Sequence, residues 1–327
     1  MDRRHAVRSL LAVGSLALFT PHQTARSAER YPNRPIKLIV PYAPGSPVDT
    51  QARKLSDPLA KALGQPIVVE NRAGASGTIG VGIGAKARPD GYTLIVGSSS
   101  NLVVSPALGL SLPYDPLRDL DPVTQYSRGG AVLVAHPSLG VNTAQDFFAL
   151  AKAKPGQLTY ASSGATGVGH LAGELLQHEA GIKLLHVPYK TPAFMAVLGN
   201  EVPLGFDFGI VVAPHVRAGK LRALLVTARK RNTALPEVPT VAECGFPDAE
   251  IYGWSGILVP AGTPKEIVAH LHKEIVTVLA TDAIREAFAG SELVGSTPEE
   301  FRATIAAEQA RIARIVKLAG IKGEVSQ

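Results

Sequence analysis

The sequence predicts an α/β fold built from parallel sheets that are arranged in two lobes. Short apolar runs rich in β-branched residues alternate along the chain with segments of helical periodicity, which is typical of strands joined by helices. Three of the strands are followed by a polar loop and then a helix, and these three units are spread over both halves of the chain. Because such loops gather at the carboxyl ends of parallel strands, we expect them to converge on one cleft.

The first strand–loop–helix unit has the clearest helix start in the sequence. A strand over residues 36–40 precedes a helix that continues to residue 63. Ser46 suits the N-cap, Pro47 the first helical position and Asp49 the acid of a capping box. A helix that begins just after a strand presents free N–H groups and a positive dipole end, so the unit predicts an anion site. A well-capped turn without a ligand is the alternative.

The second and third units repeat this pattern later in the chain. A strand over residues 92–96 leads into a serine-rich loop, and a strand over 158–161 leads into another polar loop and a helix that ends near Ala180. The hydroxyl groups of both loops are candidate donors to an anion, and they belong to Ser98, Ser99, Ser162, Ser163 and Thr166.

The remaining elements complete the two lobes. Further strands are expected at 67–70, 123–126, 131–135, 184–189, 204–208, 221–226 and 251–260, and further helices near 80–85, from 102, at 143–153, 194–198 and 214–218, and between 264 and 318. Ser76 or Thr78 is expected to cap the helix near 80–85, which is rich in small residues. Thr143 is expected to cap the helix at 143–153, and a further helix is expected to start at Thr297. The chain is expected to cross between the lobes twice, so residues 29–125 with 256–327 form the first domain and residues 126–255 the second.

Two motifs resemble a cofactor site and a metal site, but neither has the spacing that such a site requires. Gly80, Gly82 and Ala85 match G-x-G-x-x-A, but about ten residues separate them from the preceding strand and no acid follows about twenty residues on. His170 and His178 are eight helical residues apart, about 12 Å, which is too far for one ion. We therefore expect no cofactor and no metal. The side chains of His170 and His178 are expected to be solvated or to serve as caps.

The sequence favours binding over catalysis. Asp207 alternates with apolar residues on a strand and can face a cleft, where backbone donors or a ligand cation would satisfy it. Ser162 and Ser163 lack the G-x-S-x-G pattern of a nucleophile elbow, and residues 253–256 have the wrong spacing for one. The sequence shows no set of residues typical of a catalytic base, a nucleophile or a metal site. Helix N-termini and hydroxyl groups that face a cleft are suited to bind one or two carboxylates.

The N-terminal sequence predicts that the protein is exported from the cytoplasm. Residues 1–28 combine arginines, a short apolar stretch and small residues before a cleavage site, as in a secretory signal peptide. About half of the net charge of +6 lies in this segment, and no basic cluster interleaved with aromatics follows, so nucleic-acid binding is not expected. The single Cys244 cannot form an intrachain disulfide, and no later apolar run approaches the length of a membrane span.

The motifs together resemble the Bug (Bordetella uptake gene product) family, the substrate-binding components of tripartite tricarboxylate transporters. The resemblance rests on YPNRPIKLIVPYAPGSPVDTQAR, GQPIVVENRAGASGTIG, PDGYTLIVGSSS, LPYDPLRDLDPVT, LTYASSGATGVGHLAGELL, VPYK, LPEVPTVAECG and VPAGTP, which occur in family order over nearly all of the chain after residue 30. It implies a two-lobed type II periplasmic binding protein with its ligand cleft between the domains.

The resemblance also implies a ligand site and partners. The ligand would be a small organic acid, passed by a periplasmic, monomeric protein to the membrane permease subunits of the transporter. The matching site residues are Tyr42, Ala43, Gly45, Ser46, Asp49, Ser98, Ser99, Ser162, Ser163, Thr166, His170 and Asp207. A ligand sensor for a signalling partner and a secreted enzyme that acts on a carboxylate are the alternatives.

Two departures from the family pattern lie in the first loop. Tyr42 stands where the family has phenylalanine, and Ser46-Pro47 stand where it has glycines. Tyr42 adds a hydroxyl, and Pro47 removes an N–H that glycine would offer. We predict that this loop contacts the ligand differently than in the family. If glycine restored at position 47 left the affinity for the ligand unchanged, this prediction would be contradicted.

Overall fold

A computed structural model describes residues 31–164 and 166–318, and the described residues from Pro32 onward form one unit. Its strands are β1 (Ile36–Val40), β2 (Ile67–Asn71), β3 (Thr93–Ser98), β4 (Leu120–Ala135), β5 (Thr159–Ser162), β6 (Leu185–Pro188), β7 (Leu204–Phe208), β8 (Arg222–Val226), β9 (Tyr252–Pro260) and β10 (Glu292–Leu293). Its α-helices are α1 (Pro47–Leu63), α2 (Thr78–Ala85), α3 (Ser105–Ala107), α4 (Ala144–Ala153), α5 (Val168–Ala180), α6 (Ala193–Leu198), α7 (Gly209–Arg217), α8 (Lys265–Leu279), α9 (Asp282–Ala287) and α10 (Pro298–Leu318).

The sheet runs through the whole unit in the order β2-β1-β3-β9-β4-β7-β5-β6, and β8 and β10 pair with β4 in addition. The strands at each end are parallel, with β1 between β2 and β3, and β5 between β6 and β7. The central pairings of β9 with β3 and of β4 with β9 and β7 are antiparallel. The predicted parallel arrangement is therefore right for the outer strands and wrong for the centre, where two long strands connect the two parts of the sheet.

Strand β4 corrects one prediction. The sequence suggested two short strands separated at residues 127–130, but β4 is continuous because β9 pairs with it across that segment, including Arg128 with Trp254 and Gly129 with Gly253. Its first half pairs with β9 and β10, and its second half pairs with β7 and β8. The predicted domain limits at 125/126 and 255/256 fall on these two shared strands and stay a prediction.

Helix α1 begins as the sequence predicted, with one difference. The Ser46 hydroxyl accepts the Asp49 N–H at 3.2 Å, and Gly64 ends the helix in the left-handed region. In a capping box, the Asp49 carboxylate would accept the N–H of Ser46. It accepts the N–H of Gly45 instead, one residue earlier, at 2.9 Å.

Helix α2 packs closely against the sheet because its residues are small. A Cβ on Gly80 would lie 2.6 Å from the Arg72 carbonyl oxygen, and one on Gly84 would lie 2.5 Å from Ile95. The predicted caps are wrong, since Gly77 occupies the N-cap in a left-handed conformation and the Thr78 hydroxyl donates to the Ala75 carbonyl.

The other helix starts follow local signals to different degrees. Thr143 forms a complete capping box on α4, and the Thr297 start of α10 is confirmed by reciprocal bonds with Glu300. Helix α8 begins one residue later than predicted, because Pro264 is its N-cap rather than its first residue. Helix α7 begins at Gly209 rather than Pro214, since its β-branched first turn carries no helical signal.

The predicted signal peptide, residues 1–28, lies outside the described residues. Within the described part of the chain, none of the helices combines the length and the apolar character that crossing a membrane requires.

Candidate functional site

The three predicted loops meet at one cavity of about 80 Å³. This volume is several times the roughly 10–15 Å³ that one water molecule needs, and smaller than the roughly 150 Å³ apolar cavity that takes benzene. Much of the wall is apolar, with Phe206, Phe208 and Trp254 on it, and the hydroxyl and amide side chains on it belong to Tyr42, Ser46, Gln51, Ser98, Ser99, Ser100, Ser127, Ser163, Ser255 and Ser291. The cavity therefore offers many hydrogen bonds to a small polar ligand.

The N-terminus of α1 contributes fewer free donors than the sequence predicted. The Gly45 N–H donates to Asp49, the Ser46 N–H donates to Ala43 O at 3.2 Å, and the Asp49 N–H donates to the Ser46 hydroxyl. Pro47 has no N–H. Among the described residues of this turn, Val48 is the one that lines the cavity with an unpaired backbone N–H.

The N-terminus of α5 is the more open donor. Gly167 is its N-cap and has no side chain to satisfy the first turn, so the backbone N–H groups of Val168 and Gly169 have no partner among the described residues. All three residues line the cavity. Free N–H groups at the positive end of a 13-residue helix form a cradle suited to a carboxylate.

Tyr42 links the first two loops at the cavity wall. Its hydroxyl is 2.8 Å from Ser98 Oγ and donates to the Ser76 carbonyl at 3.0 Å. Burial raises the pKa of the Tyr42 hydroxyl, against the opposing effect of its bonds to neighbouring side chains, so it stays neutral. Within the serine-rich loop after β3, the segment Ser100–Val104 forms a π-helical turn, a rare geometry that recurs at functional sites.

Asp207 is the one carboxylate on the cavity wall among the described residues. It is 2% exposed, and it accepts the N–H of Phe208 at 2.9 Å and the N–H of Phe194 at 3.2 Å. Burial raises the pKa of Asp207 to about 6, although these backbone bonds oppose the rise. Backbone donors therefore satisfy Asp207, one of the two outcomes considered from the sequence, and it supplies a cap to α6.

His170 is buried, not solvated as the sequence suggested. Its ring stacks on His186 with centroids 4.0 Å apart and planes 7° apart, and its Nε2 is 3.7 Å from Glu174. His186 Nε2 is 2.6 Å from the Ser162 hydroxyl. Burial, reinforced by the neighbouring His170, lowers the pKa of His186 to about 3, so this ring stays neutral beneath the loop.

The structure divides the residues singled out from the sequence into two groups. Those on the cavity wall are Tyr42, Ser46, Ser98, Ser99, Ser163 and Asp207. Those behind or beside the wall are Ala43, Gly45, Asp49, Ser162, Thr166 and His170. The second group holds the loops in place, because Asp49 pairs with Arg53, Ser162 contacts His186 and the Thr166 hydroxyl accepts from Ser105 at 3.3 Å.

Sequence reasoning missed the wall that faces β4. Here the Ser127 hydroxyl donates to Gln51 Oε1 at 3.0 Å, and Gln51 Nε2 donates to Ser291 Oγ at 3.1 Å. Arg128, next to Ser127, is the one cation on the cavity wall within the described part of the chain. The polar break at 127–130 in an otherwise apolar strand is the signal that could have revealed two of these residues, and Ser291 has none.

Among the described residues, the cavity wall holds neither a metal-ligand cluster nor a nucleophile paired with a histidine. In residues 31–164 and 166–318, no group of three or more His, Cys, Asp or Glu side chains is placed to hold a metal ion. The Ser162–His186 contact lies outside the cavity wall, and Ser162 is fully buried. What the arrangement can do is bind a small acid through N–H and O–H donors.

Several known proteins are similar to this chain in sequence and in fold. The family model described as the tripartite tricarboxylate transporter family receptor matches residues 51–321. Protein BugT of Bordetella pertussis is 40% identical over 319 residues, which cover 96% of this chain and 98% of BugT. The structure of R. palustris Rpa4515 with adipate has a TM-score of 0.86 at 33% identity and covers 89% of this chain and 99% of that one. MatC from Rhodopseudomonas palustris, with bound malate, has a TM-score of 0.82 at 30% identity, with 88% and 100% covered.

The family match spans most of the chain, and the similarity to BugT extends over nearly all of it. The α/β fold with its central sheet is that of two-lobed periplasmic binding proteins. The chain therefore belongs to the tripartite tricarboxylate transporter receptor family, which includes the Bug proteins and consists of solute-binding proteins rather than enzymes.

Proposed function

We propose that this protein captures a small organic acid in the cavity between the three loops and delivers it to the membrane subunits of a tripartite tricarboxylate-type transporter. The observation that carries the proposal is the start of α5, where the N–H groups of Val168 and Gly169 line the cavity and have no partner in the described part of the chain. A carboxylate is the ligand that such a helix end favours. The adipate and malate in the two related structures have the same chemistry.

The rest of the wall supports the same ligand class. The hydroxyls of the serine-rich loop after β3 and the N–H of Val48 also lie on the cavity wall, and Asp207 is the one carboxylate there among the described residues. A ligand carboxylate can therefore accept several hydrogen bonds while it leaves Asp207 to its backbone donors. Pro47 restricts the contribution of α1 to that single N–H, which supports the changed ligand grip expected at this loop.

The cellular setting follows from the family and from the N-terminus. We infer that residues 1–28 direct export to the periplasm, and that the mature chain acts as a monomer that meets the permease when its ligand is bound. Ligand would add contacts that exist only in the closed arrangement of the lobes, which gives the permease a state to recognise.

Substitution of Val168 by proline isolates the proposed contact. Val168 is the first helical residue of α5, and Gly167 before it has φ −78° and ψ 155°, a conformation that a following proline favours. Val168→Pro therefore removes one N–H from the cradle while it keeps the helix start. Val168→Ala is the matched control, because it shortens the same side chain and retains the N–H.

We expect the mature chain to bind a mono- or dicarboxylate found by thermal-shift screening, with one ligand per chain in calorimetry and no turnover. A hydrogen bond to a charged group contributes about 1.5–3 kcal/mol. Val168→Pro should therefore weaken binding roughly tenfold to a hundredfold beyond the effect of Val168→Ala. Equal affinities in the two variants, or stabilisation by uncharged amides as strong as by the acids, would contradict the proposal.

A further inference from the structure

A serine–histidine pair lies behind the start of α5. Ser162 is fully buried, and its Oγ is 2.6 Å from Nε2 of the partly buried His186. Neither residue lines the cavity. Any effect of this pair on a ligand must therefore pass through the residues that lie between the pair and the cavity.

The carbonyl oxygen of Gly164 fixes the direction of the hydrogen bonds. This oxygen can only accept, and the Ser162 hydroxyl donates to it at 2.9 Å. Because a serine hydroxyl has one proton, Ser162 Oγ must accept from His186, which places the imidazole proton on Nε2. The Gly164 carbonyl also accepts the N–H of Gly167 at 3.0 Å. These bonds form one hydrogen-bond relay, which starts at His186 and ends at Gly167, the N-cap of α5.

Two aromatic neighbours hold the ring of His186. His170, in the first turn of α5, stacks on this ring with centroids 4.0 Å apart. Tyr160 pairs with His186 between β5 and β6, and its ring centroid is 5.0 Å from that of His186. Aromatic pairs have preferred geometries, so these contacts favour one orientation of the imidazole. In this orientation, Nε2 faces Ser162.

The relay ends where the cavity begins. Gly167 directly precedes Val168 and Gly169, whose N–H groups lie at the cavity and have no partner among the described residues. Gly164 has a φ of +110°, and neither Gly164 nor Gly167 has a side chain that could hold the turn by packing. At these two positions, hydrogen bonds must therefore keep the turn in place.

On the basis of the proposed carboxylate-binding function, we propose that His186 is a positioning residue for the ligand site. Its Nε2–H holds the Ser162 hydroxyl, and the relay then holds the N–H cradle at the start of α5. A carboxylate needs both cradle N–H groups to point at its oxygens. When the bond to Ser162 is lost, the turn is free to shift, and the acid should bind more weakly.

His186→Gln and His186→Met form a matched pair of variants. Both side chains are unbranched and remove the stack on His170, but glutamine can still donate an N–H near the position of Nε2, whereas methionine has no donor. Their difference therefore separates the hydrogen bond from the lost packing. Ser162→Ala breaks the relay while it keeps the imidazole. His178→Met is the control, because His178 is exposed in the last turn of the same helix.

Affinities for adipate and malate are measured by calorimetry near neutral pH. If neither acid binds, the carboxylate that most stabilises the wild type in the thermal-shift screen replaces them. We expect His186→Met and Ser162→Ala to weaken binding about threefold to tenfold, and His186→Gln to stay within about twofold of the wild type. With Ser162→Ala already present, His186→Met and His186→Gln should bind alike, because the bond that distinguishes them is gone. His178→Met should change nothing.

NMR spectra of the ligand-free protein give a second readout that a purely structural role would not produce. The amide resonances of Val168 and Gly169 should differ between His186→Met and His186→Gln, since only glutamine keeps the relay. If these resonances coincide and the two variants bind equally, His186 acts through packing alone and the inference is wrong, while the proposed function stands.

Two further outcomes are decisive. If the wild type binds none of the acids, the proposed function is wrong, and a role for His186 in binding is wrong with it. If His186→Met does not fold, Ser162→Ala decides, because it removes a single hydroxyl. An unchanged affinity in Ser162→Ala would overturn the inference and leave carboxylate binding intact.

Discussion

Replacement of Asp49 by asparagine should destabilise the protein without removing a ligand contact. The Asp49 carboxylate is almost fully buried, at 2% exposure. Its Oδ2 accepts the Gly45 N–H at 2.9 Å, its Oδ1 accepts Asn71 Nδ2–H at 2.7 Å, and Arg53 Nε–H lies 3.0 Å from both oxygens. These bonds hold the first loop against α1 and β2, while Asp49 itself lies off the cavity wall.

The size of the effect follows from the bonds that asparagine cannot keep. One oxygen remains an acceptor, but the new NH₂ group faces the N–H of Arg53 and, depending on its orientation, the N–H of Gly45 or of Asn71. A buried hydrogen bond to a charged acceptor contributes about 1.5–3 kcal/mol. Because the Arg53 side chain is 51% exposed, its ion pair adds little. We therefore expect the free energy of unfolding to fall by about 2–3 kcal/mol at neutral pH.

The pH dependence gives a second readout. Burial raises the pKa of Asp49, but the bonds from Arg53, Asn71 and Gly45 together outweigh burial and hold this pKa below its usual value. A carboxyl whose pKa is lower in the folded state stabilises the protein above the unfolded value of about 3.9. This stabilisation is lost as the pH falls through the folded value, so wild type and Asp49→Asn should converge in acid.

Urea unfolding followed by the fluorescence of Trp254, the single tryptophan, measures the difference. The midpoint should fall in Asp49→Asn with an unchanged slope. Asp57→Asn is the matched control, because Asp57 is exposed on the same helix and forms no ion pair with the described residues. A loss below about 1 kcal/mol would refute the scaffold role. A large loss of ligand affinity at full stability would show instead that Asp49 contacts the ligand.

Three further substitutions test the packing and the electrostatics. Gly173→Ala places a Cβ 2.4 Å from the Tyr160 ring, so overpacking should cost about 1–3 kcal/mol in urea unfolding, and an unchanged midpoint would contradict the close approach. His186, with its pKa lowered to about 3, makes the wild type lose stability as the pH falls below about 6.5. His186→Gln should therefore lose less than wild type between pH 7.5 and 5, and parallel losses would count against a neutral buried ring. Asn232→Ala removes the donor to the Gly290 carbonyl, a bond of 2.9 Å, and should cost about 1–2 kcal/mol in the same assay.

The elements that the sequence predicted well are those whose signals are local. Thr143 and Thr297 start helices because hydroxyl and acid stand three residues apart, which is the spacing of the reciprocal bonds. Strand β7 and the end of α5 at Ala180 also match, since an apolar run and a following glycine mark them. Each of these features depends on a few neighbouring residues, so distant parts of the chain do not alter it.

The parts of the site that the sequence did not predict depend on long-range pairing. Ser291 reaches the cavity because β10 pairs with β4 more than 160 residues earlier, at Glu292 with Arg128. Gln51 lies on the first helix, but its partners Ser127 and Ser291 come from two other segments. No local pattern distinguishes these polar residues from solvent-exposed ones, so only the assembled sheet identifies them.

The contrast between α1 and α5 explains why the cap signals pointed to the less open of the two helix ends. A strong N-cap uses up the N–H groups that an anion would need, and at α1 Asp49 supplies the protein's own carboxylate to Gly45. At α5 a glycine in the N-cap has no side chain to offer, and no described residue accepts the N–H groups of Val168 and Gly169 at the cavity. A strand followed by a well-capped helix is therefore a support for the loop, whereas a strand followed by a helix with a glycine cap has donors left for a ligand. For this reason the start of α5, and not that of α1, is the place where we propose that a carboxylate binds.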